Sequence, residues 1–465
     1  MIWFLLQKIG FFIFLILTMY FVYKRKYEGL MSLYFWGMTF TTCYYFAFTI
    51  WFPTKIITLG MIICMLVYGL QRKSLAMKFI SPIVTVFIIV ILISDIVGLL
   101  LPGEYASQIN NFSRMFNASY TYLTTIALLF YGLMMKRGFV KRLFPSYCFA
   151  VEIAIAFGFI HFICLQVDIG FMPILRQDGS VNLEAIAQMG EQAVPRVYGV
   201  TGEPKNLGFL ICPYLFILTI MLGRNLYRIN KWSHILMLVI GTFILINTYS
   251  SSALINYFLV TPIVVLFLPF PKMTYKVGAI LSILCICILL WVLKGELNLN
   301  NYHSDSVGNE SYITQLYERT FGRAQNEIEN DRQESVIFEN YINEDNIINN
   351  IFGWGVSQYT FHVPDQVIGK NLIPVQSGLI LSIADFGILG CFLIVIVSCS
   401  IIVLLRVSLK QKNIYSLIFS IASLSAFIGS MMFGTIVSCF VYLMLSIYAY
   451  YDTKEIENSN NYFAL

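Results

Sequence analysis

The chain has 465 residues, of which 58% are hydrophobic and only 12% charged, and its mean hydropathy is +0.74. A soluble globular chain carries about a quarter charged residues, so that class is excluded. The net charge of +5 is dispersed in short islands, and no nucleic-acid partner is expected.

Apolar runs of about 20 residues are the length a helix needs to cross a hydrocarbon core. Within that core each backbone group must be satisfied inside its own segment, which selects helices. In chain order the spans read 2–23, 30–51, 56–70, 79–101, 118–135, 146–165, 207–223, 233–249, 253–270, 277–293, 386–405, 413–430 and 432–450. The expectation is an all-α, polytopic transmembrane helical bundle of about 12–14 spans, read as 13, forming one integral membrane domain over 1–465. The first span has no small-residue cleavage site after it and is followed by Lys24-Arg25-Lys26, so it reads as uncleaved.

Every second connection is basic. Lys24, Arg25, Lys26, Arg72, Lys73, Lys78, Lys136, Arg137, Lys141, Arg142, Arg224, Arg228, Lys231, Lys272, Lys276, Arg406, Lys410, Lys412 and Lys454 are 19 of the 30 basic residues. Only 5 of the 25 acids share that side. The positive-inside rule then places these connections in the cytoplasm, with the C-terminus inside and the N-terminus outside. Two long loops fall on the outer face, 166–206 and 294–385. Long loops are costly to order and are usually kept for function.

The ten cysteines lie in or at the ends of apolar segments without a CxxC pair, and read as small hydrophobes. His161, His234, His303 and His362 have no metal-ligand spacing, and neither a metal nor a cofactor is expected. Three polar places stand out. The first loop ends "PRVYGVTGEPKNLGF", where Pro195, Gly199, Gly202 and Pro204 forbid a continuous helix before 204. The first turn of a helix there offers free N–H groups and partial positive charge, with Arg196 nearby. The plainer alternative is an ordinary capped helix end.

The second loop carries "YERTFGRAQNEIENDRQES". Arg319 and Arg323 share a helical face, and Arg332 follows. Arginine suits forked binding of phosphate oxygens, although Arg323 paired with Glu327 on a solvated helix fits the same pattern. Further on, "IFGWGVSQYTFHVPDQ" holds His362, a group that can act as a base near neutral pH. "DFGILG" places Asp385 at the lip of a span. Within the membrane, Asp95 and His161 lie near outer helix ends, Glu152 could snorkel or pair with Arg142, and "NTYSSSALI" (247–255) makes a tight turn of small residues.

Taken in order, an arginine with "GVTGEPKNLG" at a loop-to-helix junction, a "TYSSSAL" turn, a large loop with spaced arginines, "GWG" and "DFGILG" resemble the O-antigen polymerase and O-antigen ligase superfamily of bacterial surface-polysaccharide proteins. The resemblance covers roughly 190–400 and rests on order, topology and loop size. It implies a GT-C-like, multi-pass protein of the bacterial cytoplasmic membrane with its active face extracytoplasmic. Such proteins use glycans carried on undecaprenyl pyrophosphate as donor and acceptor, with no nucleotide sugar. A partner that regulates chain length is also implied.

Mapped onto this sequence, the resemblance makes Arg196, Arg319, Arg323 and Arg332 the pyrophosphate-binding residues. It makes Glu203, His362 and Asp385 the candidates for the base. Ligase-like members carry a His-Asn or His-Ser pair before an "E-x-G-I-x-G" motif. This chain has "VQSG" at 375–378 and Asp385, and Gln376 cannot act as a base. The expected function is therefore polymerisation of lipid-linked repeat units into O-antigen, capsule or a related surface polysaccharide. The alternatives are a ligase acting on lipid A core and a lipid-linked oligosaccharide flippase. A flippase is expected to carry charges deep in several spans, which this chain lacks.

Overall fold

A computed structural model describes residues 2–43, 45–46, 50–103, 111–167, 169–171, 174–175, 181–182, 186–189, 192–267, 333–362 and 377–463. The architecture is helical. The helices are α1 (Ile2–Tyr23), α2 (Tyr27–Thr39), α3 (Pro53–Tyr68), α4 (Ala76–Leu100), α5 (Asn111–Tyr131), α6 (Phe139–Gln166), α7 (Pro204–Gly223), α8 (Lys231–Asn247), α9 (Ser251–Phe267), α10 (Gln333–Ile342), α11 (Ile347–Phe352), α12 (Gly378–Phe386), α13 (Ile388–Lys410), α14 (Ile414–Met432) and α15 (Phe440–Phe463). Among the described residues, short two-stranded ladders lie in connections. They pair β1 (Tyr45–Phe46) with β2 (Ile50–Trp51), β3 (Ile174–Leu175) with β4 (Val181–Asn182), and β5 (Ile186–Met189) with β6 (Gln192–Pro195), all antiparallel.

Among the described residues seven helices are long and apolar enough to cross a membrane, and three shorter apolar helices accompany them. The chain is a membrane protein. The thirteen-span reading is not reached. Its span 30–51 stops at Thr39, where the chain turns into the β1–β2 ladder, so a continuous apolar run is not one helix there. The span read from 386 begins at Ile388, because Gly387 at φ 63° breaks the path between α12 and α13. The span 277–293 lies outside the described residues.

The chain divides into two compact units, residues 1–151 with 331–465, and residues 152–330. In the first unit α15 packs against α14 and α5, and 83% of an 18-residue apolar window within Ile436–Ile456 is buried. Only 22% of such a window in α1 is buried, and Leu5, Ile16 and Met19 stand exposed on it. Apolar side chains exposed on such a helix suit contact with lipid. Serines replace apolar contacts at the α14–α15 seam. Ser416 and Ser420 meet Ser446 across it at 3.3 and 2.6 Å, and all three are fully buried. Small hydroxyl residues let membrane helices approach closely and bond across the gap.

Four of the five acids on the basic side of the sequence are held in ion pairs. Arg72 meets Asp452 at 2.6 Å, Arg137 meets Glu455 at 2.9 Å, and Arg142 meets Glu28 at 2.5 Å. Asp452 also accepts from the Gly138 N–H, and Glu455 from Ser74 and the Leu75 N–H. The C-terminal helix thereby ties down two basic connections. The fourth acid corrects the sequence reading: Glu152 pairs with Arg228, while Arg142 is taken by Glu28. These pairs explain why acids occur on a side that otherwise excludes them.

Candidate functional site

In the second unit the segment 196–203 is a compact plug whose residues 196–202 are all buried. Arg196 is 9% exposed, and its Nε donates to the Thr248 carbonyl at 3.0 Å. The Val197 N–H donates to the Asn247 carbonyl at 3.1 Å. The "PRVYGVTGEP" and "NTYSSSAL" stretches, separate features of the sequence, are thus joined. Gly208 of α7 lies against Ala253 of α9, where a Cβ on the glycine would collide with the Ala253 methyl. Small residues at this crossing bring α7 close enough for the plug to reach the 247–250 turn.

His161 of α6 braces the plug from another side. Its Nδ1 accepts from the Tyr198 and Gly199 N–H groups at 3.2 and 3.3 Å. The ring, 1% exposed, stacks on Phe171 with centroids 4.3 Å apart. Gly199 has φ +53°, and a Cβ there would come within 3.1 Å of the Gly158 backbone nitrogen. Both the left-handed conformation and the close approach call for glycine. Burial pushes the Tyr198 phenol up to about 12, so it stays neutral.

The plug ends at Glu203, the N-cap of α7, with extended backbone at φ −138° and ψ 133°. Pro204 occupies N1, where its missing N–H costs nothing. The Glu203 side chain makes no capping bond and is exposed, although its carbonyl accepts from Leu207 N–H and the Thr201 hydroxyl. Among the described residues no ion pair joins Glu203 to Arg196. The 20-residue α7 consequently presents its N–H-rich end beside an exposed carboxylate.

The first unit holds the other two described candidates, and there the geometry differs. Asp385 of α12 is 2% exposed. Its Oδ1 accepts from the Ser357 N–H at 2.8 Å, and its Oδ2 faces the Tyr122 hydroxyl at 3.4 Å. Its carbonyl accepts from Ser94, and the Trp354 N–H donates to Ala384 at 2.8 Å. The "GWGVSQ" turn is thereby strapped onto α12 and α4. Gly353 has φ +79°, and a Cβ on it would collide with the Asp385 carbonyl.

His362 stacks on Trp354 with centroids 4.9 Å apart and planes 4° from parallel. The Trp354 indole N–H donates to Glu344 at 2.8 Å. The His362 Nε2 is buried without a hydrogen-bond partner. Burial pulls this imidazole down to about 4, against a smaller upward pull from Glu344. It is neutral at pH 7 and a weak proton acceptor.

Arg196 and Glu203 thus belong to one unit, and His362 and Asp385 to the other. Arg319, Arg323 and Arg332 lie outside the described residues. His161 and the Thr248 carbonyl were not legible as site elements, since 37 and 52 residues separate them from their partners. Asp95, half-buried in α4, accepts from Ser119 of α5 at 2.9 Å.

No family model matches the chain, and no significant match was found among curated proteins or solved structures.

Proposed function

We propose that this protein is a glycosyltransferase-type polymerase. It joins oligosaccharide repeat units carried on undecaprenyl pyrophosphate, at the outer face of the bacterial cytoplasmic membrane. The observation that carries the reading is the mount at the start of α7. There an exposed Glu203 carboxylate lies beside a helix N-terminus, on a plug pinned by Arg196 and His161. A phosphate-bearing donor suits the N–H groups and partial positive charge of that terminus. An exposed carboxylate next to it is placed to receive a proton. The ordered resemblance to polysaccharide polymerases supports the same substrate class.

In this reading the acceptor hydroxyl attacks the anomeric carbon of the donor glycan. A new C–O glycosidic bond forms as the bond from that carbon to the pyrophosphate oxygen breaks. Glu203 takes the hydroxyl proton. Undecaprenyl pyrophosphate leaves as an anion, and arginine guanidinium groups offset its developing charge. Arg196 is the first of these, with Arg319, Arg323 and Arg332 assigned by the resemblance. Asp385 and His362 fit the proton-accepting role less well, because one carboxylate is engaged with buried donors and the imidazole is weakly basic.

The test is deletion of the gene in its native host, with the surface glycan resolved by size. Polymerase function predicts loss of the ladder with single repeat units still exported. Loss of all surface repeat units contradicts it and indicates a flippase. An intact but unattached polymer indicates a ligase.

A further inference from the structure

In the first unit α1 ends in a basic turn that the proposed chemistry does not use. Lys24, Arg25 and Lys26 are all exposed. Elsewhere Arg72, Arg137, Arg142 and Arg228 are each paired with an acid. Among the described residues no ion pair reaches the three cations of this turn. The sequence explains the difference. Glu28 is the only acid in residues 1–94, and Arg142 engages both of its carboxylate oxygens.

The turn has a fixed form. The Arg25 N–H donates to the Val22 carbonyl at 3.1 Å and the Lys26 N–H to the Phe21 carbonyl at 2.9 Å. This closes α1 with Arg25 at φ 53°, a left-handed position that usually holds glycine. The Arg25 guanidinium lies over the Tyr68 ring of α3, 4.4 Å from its centroid. The ammonium groups of Lys24 and Lys26 lie 5.1 and 5.4 Å from the rings of Tyr23 and Tyr20 on α1. The cations thus straddle the ends of two helices that pack together. Met19 and Tyr23 on α1 and Leu66 and Val67 on α3 are exposed, Tyr23 by 74% and Leu66 by 79%. Such open apolar side chains suit lipid, so a lipid-facing surface ends at a cluster of uncompensated positive charge. An occupant matched to both carries an anionic group at one end and apolar chains at the other.

We propose that this turn binds the phosphate headgroup of an anionic glycerophospholipid, one with no ammonium of its own. Arg25 offers a forked set of donors to the phosphate oxygens, and Lys24 and Lys26 add point charges beside it. The acyl chains run along the exposed faces of α1 and α3. A zwitterionic headgroup brings its own cation to a turn that repels it, so it is a poor substitute.

The experiment reconstitutes the full-length protein in phosphatidylcholine nanodiscs containing a minor fraction of phosphatidylglycerol. Lipids that survive detergent extraction are counted by native mass spectrometry. Wild-type protein is expected to retain phosphatidylglycerol over phosphatidylcholine by about tenfold relative to the supplied ratio. Arg25→Gly removes one cation at a position whose backbone glycine adopts freely, so the turn keeps its form. It is expected to lower the enrichment to about threefold. The triple variant Lys24→Gln, Arg25→Gly, Lys26→Gln is expected to lose most of it. Retention in the supplied ratio by the wild type overturns the proposal without reference to any variant. Wild-type enrichment in a triple variant with an unchanged unfolding midpoint overturns it as well, since the selectivity then resides in other basic connections.

Discussion

Two carboxylates at helix ends, Glu203 and Asp385, are used in opposite ways. Asp385 is 2% exposed and accepts from Ser357 N–H while facing the Tyr122 hydroxyl, so it fastens one loop to one helix. Glu203 is exposed and its side chain caps nothing, while residues 196–202 behind it are buried. The buried acid stabilises the fold. The exposed acid contributes little to the fold and is free to meet a substrate. Sequence position alone does not separate these roles, since both residues stand beside helix-breaking glycine or proline at the mouth of an apolar segment.

The contrast is broken most directly at Asp385. Asp385→Ala leaves the Ser357 N–H and the Tyr122 hydroxyl as buried donors without that acceptor. The expected cost is about 2–4 kcal/mol, read as a lowered unfolding midpoint in detergent. A midpoint unchanged from wild type contradicts the strap. Next in size is Gly353→Ala, which combines a left-handed backbone with a collision against the Asp385 carbonyl. It should lose about 1–3 kcal/mol in the same assay.

His161→Phe sharpens the other side. It keeps the aromatic stack on Phe171 and removes the acceptor for the Tyr198 and Gly199 N–H groups. A loss of about 1–3 kcal/mol is expected, with faster proteolysis within 196–203 as the local readout. His362 gives a smaller effect. Its folded-state value of about 4 lies below the ordinary 6.5, so between these values the unfolded chain binds more protons. Its contribution is complete above about pH 6.5 and is lost as the pH falls toward 4. About 2 kcal/mol or less is involved, and His362→Phe should flatten that part of the stability profile.

Much of the framework was legible in the chain because its cause is local. Charge parity pointed to a basic side, and the acids found there are pairing partners such as Asp452 and Glu455. The break before α7 followed from Pro204 and the glycines ahead of it. Other features depended on distant partners. Nothing near Thr39 announces that α2 stops there, since the residues beyond it remain apolar. The Glu152–Arg228 pair was missed because Arg142 is nearer in sequence, and the helical path offers Arg142 to Glu28 instead. His161 drew notice only as a polar residue in a span. Its role becomes visible once α6 and the 196–203 plug are in contact. Asp385 looked like a solvated lip residue until Ser357 and Tyr122 closed over it.

Glu203→Gln has the smallest structural effect and the largest functional one. Its carboxylate makes no capping bond, so stability should change by less than about 0.5 kcal/mol. In the proposed role of general base, its removal should lower polymerisation by about 10²–10⁴-fold. The decisive measurement is therefore the size distribution of surface glycan in cells carrying Glu203→Gln at wild-type protein level. The account predicts that the polymer ladder collapses to single repeat units while the protein's unfolding midpoint is unchanged. A normal ladder from that stable variant contradicts the central claim.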